Sequence, residues 1–76
     1  MLGALATVSD VEIFVRDSSP HIKNVRVKVN EDSDFEIFVE LHWFYAIFFS
    51  RTYLEFIQNK MEDMVMIGVN YYISVG

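Results

Sequence analysis

Apolar and polar side chains alternate along three stretches of the first half of this chain. Val11, Ile13 and Val15 alternate with Glu12, Phe14 and Arg16. Val25, Val27 and Val29 alternate with Arg26 and Lys28, and Phe35, Ile37, Val39 and Leu41 with Glu36, Phe38 and Glu40. A period of two sends neighbouring side chains to opposite faces of an extended backbone, so each stretch is expected to be a half-buried strand. Between them, residues 17–21 and 30–34 carry the Asp, Ser, Pro and Asn of turns. Connections this short predict an antiparallel meander with the second stretch at its centre. A further alternating stretch, Val65 to Val75, predicts a last strand at one edge, with Gly68 as a bulge or a close backbone approach.

The period changes after Leu41. Leu54, Ile57, Met61 and Met64 follow helical spacing, and Arg51, Glu55, Gln58 and Glu62 form the opposite polar stripe. The pattern predicts a helix over residues 43–62, its buried stripe continuing back through Ser50, Ile47 and Trp43. Phe44 and Phe48 then fall on the polar side, so the first two turns are apolar all round. An alternative starts the helix at "TYLE", residues 52–55, which matches a capping box. The stretch "WFYAIFF" would then lengthen the third strand to roughly 15 residues, against a usual ~5–6. Length favours the longer helix.

The expected fold is α+β: a small antiparallel sheet in the order β-β-β-α-β, with one helix packed across one sheet face. Residues 1–76 read as a single domain, in the size range that buries only roughly 60% of its unfolded surface. Residues 1–8 form an N-terminal arm or a short strand; a secretory signal is the other reading, although the basic n-region is missing. One repetition stands out. "SDVEIFVR" at 9–16 returns as "SDFEIFVE" at 33–40, and nothing beyond the octapeptides matches at that offset. The expectation is one kind of strand written twice, on either side of the central strand.

Composition narrows the possible functions. The chain has no cysteine, which removes disulfides and thiolate zinc sites and favours a reducing compartment. Eleven acidic against six basic residues give a net charge of −5, which repels a phosphate backbone and argues against direct nucleic-acid binding. No apolar run approaches the ~20 residues of a membrane span, and a cytoplasmic location is expected.

Candidate chemistry is sparse. Asn30, Asp32 and Asp34 have the opening spacing of a calcium loop, but Phe35 and Leu41 occupy the positions that require Gly and Glu. Glu40 and His42 lack companions at metal-ligand spacing, Ser18 and Ser19 lack a nearby base, and no Gly-rich phosphate loop is present. Catalytic, metal and cofactor-binding residues are therefore not expected, nor is enzymatic activity.

Bulky side chains are plentiful: ten Val, seven Ile and seven Phe, against three Ala. Phe14 and Phe38 are expected at the middle of the outward sheet face, flanking Arg26 and Lys28, with Glu36 and Glu40 beside them. Together with Glu31, Asp32 and Asp34 of the acidic turn they form the candidate partner-binding set, since aromatic and Arg side chains anchor interfaces. Phe44 and Phe48 are the candidate self-association residues, because one sheet face covers only one stripe of a helix. The function expected is that of a small acidic interaction module that binds and regulates or inhibits a larger protein. Phage-encoded inhibitors such as anti-CRISPR proteins are the analogy of class, carried by no motif. The alternative is a structural subunit, acting as a homodimer or a component of a larger assembly.

Overall fold

A computed structural model describes residues 7–63 and 70–76 of the chain. Its elements run α1 (Val8–Arg16), β1 (Ile22–Val29), β2 (Phe35–Leu41), α2 (Trp43–Glu62) and β3 (Tyr71–Val75). The class is α+β, with two helices and a three-stranded mixed sheet in the order β1-β2-β3. No helix among the described residues is long and apolar enough to cross a membrane. Most of the expected arm, with Leu2 and Leu5, and the expected Gly68 bulge lie outside the described residues.

The first expected strand is a helix. Residues Val11–Arg16 belong to α1, so the order is α-β-β-α-β, and the central strand is β2 in place of the stretch around Val25–Val29. The octapeptide satisfies both periods. Val11, Ile13 and Val15 alternate, yet Val8, Val11 and Val15 also share one helix face, and Val11 and Val15 are the buried pair. A capping box decides between the two. The Thr7 hydroxyl accepts from the Asp10 amide at 3.1 Å, and the Asp10 carboxylate accepts from the Thr7 amide at 3.2 Å. Two amides that a helix start leaves unpaired are thereby satisfied.

β1 and β2 form the expected antiparallel hairpin, with Val25 opposite Val39, Arg26 opposite Phe38 and Lys28 opposite Glu36. The register shifts between Ile22 and Asn24. That irregularity lets Lys23 and Asn24 both face water while Ile22 and Val25 both stay buried. The turn is held by Asn30, whose Oδ1 accepts from the amides of Asp32 at 2.9 Å and Asp34 at 3.0 Å. Ser33 takes the left-handed conformation, with φ of 66°.

β3 lies beside β2 and parallel to it, Ile37 opposite Ile73. Parallel neighbours need a crossover of a dozen residues or more, and α2 supplies it. Both helices cover the same sheet face. Val11 and Val15 of α1 and Ile57 and Met61 of α2 join Val25, Phe35, Ile37, Val39 and Leu41 in one core. The other face carries no element of the described chain.

Candidate interaction surface

α2 begins at Trp43 as expected, but it does not run straight. Phe49 leaves helical geometry, with φ of −131° and ψ of 15°, and kinks the helix there. The kink turns the first half relative to the second. In the second half Ile57 and Met61 are buried. In a straight helix the stripe through them would pass through Ser50, Ile47 and Trp43. Ser50 is half-buried as that stripe requires, but the half-buried residues before the kink are Tyr45 and Ala46 in place of Ile47 and Trp43.

Tyr45 has specific partners on that side. Its ring stacks on His21, with centroids 3.8 Å apart and 20° between the planes. Tyr45 also meets Tyr53 edge-on at 6.2 Å, and the Tyr53 hydroxyl shares a 3.0 Å hydrogen bond with that of Ser19. The backbone joins in: the His42 amide donates to the His21 carbonyl at 3.1 Å. The loop after α1 thus holds the start of α2 by one flank.

The opposite flank is open. Trp43, Ile47 and Phe48 are 73, 65 and 64% exposed, and Phe44 and Phe49 are exposed as well. Phe44 sits at the middle of this group, its ring 5.0 Å from Phe48, 5.9 Å from Trp43 and 6.1 Å from Phe49. Arg51 is the one charged residue between positions 43 and 54. Taking ~150–250 Å² for a large apolar side chain, these five expose on the order of 600 Å². That is the upper end of the ~300–600 Å² found for the largest patch on an ordinary monomer. Phe44 and Phe48 are thus brought together, as expected. Trp43 and Ile47, which the helical stripe assigned to the interior, join them, on the far side of the kink at Phe49 from the buried Ile57 and Met61.

The open sheet face has a different character. Phe38 and Tyr72 are exposed there among charged groups. Lys28 lies over the Phe38 ring at 5.9 Å and reaches the Glu36 carboxylate at 3.7 Å, as the cross-strand pattern implied. Glu40 pairs with Lys23 at 3.8 Å, since the irregularity at Ile22–Asn24 brings that lysine to the same end. Asn24, Arg26, Phe38 and Glu40 border a shallow hollow of about 260 Å³. Phe14 is absent from this face. It lies on α1, half-buried against the core, because its octapeptide is helical. Glu12 is on α1 with it. Tyr72 is the second exposed ring of this face, on β3 opposite Glu36; its alternation with Tyr71 and Ile73 was the available signal.

The acidic turn joins β1 to β2 at one end of the open sheet face, where Asn30 Nδ2 donates to the Glu36 carboxylate at 3.3 Å. Glu31 and Asp32 are exposed, Asp34 is half-buried, and the Asn30 side-chain oxygen faces inward to backbone amides. Among the described residues, no group of three His, Asp or Glu side chains is placed to hold a metal ion. A second hollow of about 270 Å³ lies between the loop after α1 and α2, lined by Ser18, Ser19, Thr52, Tyr53 and Phe56. Comparison with protein-family models, curated proteins and solved structures returned no significant match to this chain.

Proposed function

We propose that this chain is a small acidic protein-interaction module, without catalytic activity, that binds a larger protein and regulates or inhibits it. One observation supports this most: the uncharged cluster of Trp43, Phe44, Ile47, Phe48 and Phe49 held at the surface by the anchored start of α2. Leaving a large apolar side chain in water forgoes ~1.5–3 kcal/mol of burial. A domain of this size is stable by only ~5–15 kcal/mol, so such exposure is a standing cost that a contact surface removes. The anchoring matters too, because rings already fixed by Phe44–Phe48 packing lose little freedom on binding.

The open sheet face is the second contact region of this reading. Phe38 and Tyr72 are its aromatic anchors, Arg26, Lys28, Glu36 and Glu40 its charged rim, and Glu31, Asp32 and Asp34 an acidic corner for a basic partner. The phage-inhibitor analogy remains one of class. The test is quantitative capture of partners from the native host, followed by affinity measurement on the recovered protein. Phe48→Glu or a Phe38→Glu/Tyr72→Glu double variant is expected to weaken that affinity at least about thirtyfold, the size of a hot-spot loss. Equal recovery by the wild type and both variants overturns the reading.

A further inference from the structure

We infer that the aromatic flank of α2 is covered by a second copy of this chain, in a two-fold pairing of the α2 helices. The inference rests on the interaction reading above: it assigns the α2 flank to a second copy and leaves the open sheet face to the larger partner. Area is the first argument. About 600 Å² from each copy gives on the order of 1,200 Å² buried in all, which reaches the lower bound of stable, specific interfaces.

Shape is the second argument. Before the kink at Phe49, Trp43 and Ile47 form one row at four-residue spacing, and Phe44 and Phe48 form the row beside it. Two such rows with a groove between them are self-complementary: ridges of one helix enter grooves of an identical one. In this pairing the two-fold axis crosses the helices near Ile47, so the paired helices run antiparallel.

Charge is the third argument. Two copies of a chain of net charge −5 repel each other, so the location of the acids decides whether pairing is opposed. Glu31, Asp32 and Asp34 lie at the start of β2, whereas α2 begins just past its end. Seven residues of strand separate the two sites by roughly 20 Å at about 3.3 Å per residue. The screening length at physiological salt is about 8 Å, so the acidic turn is silent at the helix flank. Glu40, three residues before Trp43, is paired with Lys23 at 3.8 Å, and no acidic residue lies between positions 43 and 54.

Trp43 is the one tryptophan of the chain, and it reports directly on this flank. The experiment is sedimentation velocity with tryptophan emission, from low micromolar to high micromolar protein. Expected are a species of twice the 8.9 kDa chain mass and an emission maximum that moves to the blue as it forms. Phe48→Glu, and independently Ile47→Lys, should give a monomer with red-shifted emission and an unchanged far-ultraviolet circular dichroism spectrum. Both positions are exposed, so the fold does not depend on them.

A monomer with solvent-exposed Trp43 at every concentration overturns the pairing. So does a monomer with blue-shifted emission, which assigns the cover to the chain itself. A dimer broken by Phe38→Glu and untouched by Phe48→Glu also overturns it, by moving the interface to the sheet. If the wild type is a monomer whose capture of a foreign protein is abolished by Phe48→Glu, the pairing fails and the interaction reading stands.

Discussion

Residues 9–16 and 33–40 differ at two positions in eight, and their shared side chains meet opposite fates. Ile13 is 57% exposed, while its counterpart Ile37 is 1% exposed at the middle of the core. Phe14 and Phe38 exchange roles in the other direction: the first packs against the core and the second lies on the open sheet face. The cause is a change of period. In α1, Ile13 is two residues and roughly 200° from Val11, so the two cannot share a face. In β2, Ile37 is two residues from Phe35 and points the same way. The conformation is chosen by what precedes each copy. Thr7 turns Ser9–Asp10 into a helix start, and Asn30 turns Ser33–Asp34 into the exit of a hairpin. A short apolar motif therefore carries little conformational information until its flanking polar residues are read with it.

Substitutions at matched positions test this contrast. The largest effect is expected at the two isoleucines. Ile37→Ala should lower stability by about 2–5 kcal/mol, enough to leave a marginal domain partly unfolded. Ile13→Ala should change it by no more than about 0.5 kcal/mol. Denaturant titration of both variants gives the comparison, and equal losses would mean that residues 9–16 are not an amphipathic helix. The flanking cap comes next. Thr7→Ala should cost about 1 kcal/mol. Hydrogen exchange should localise that loss to α1 and spare the hairpin.

The smallest pair has opposite signs. Ser33→Gly relieves a left-handed residue and should stabilise by about 0.5–1 kcal/mol. Ser9→Gly, in the first turn of α1, should destabilise by about 0.5 kcal/mol. One substitution, made in two copies of the same motif, should move the melting temperature in opposite directions.

Much of the architecture was legible in the order of residues alone. The hairpin of β1 and β2 followed from strict alternation around a polar turn, and α2 from the spacing of Leu54, Ile57 and Met61. That Arg26 and Lys28 lie beside Glu36 and Glu40 followed from alternation, whereas the pairing of Lys28 with Glu36 is set by the register of the hairpin. The aromatic surface was half legible. Phe44 and Phe48 were conspicuous because they fell on a polar stripe, whereas Trp43 and Ile47 fell on an apolar one and were assigned to the core. That assignment assumed a straight helix.

The sequence by itself determined which segments are amphipathic, where the chain turns, and that it carries an excess of rings near residue 44. These are local properties, set by side-chain spacing within a few turns or a few residues of strand. Tertiary structure decided two things: the seat of β3 beside β2, and the direction in which residues 43–49 face. Each depends on groups distant in the chain, such as the His21 ring against Tyr45 and the Ser19 hydroxyl against that of Tyr53. A periodic pattern states that one face is to be hidden; only the packed fold selects the surface that hides it.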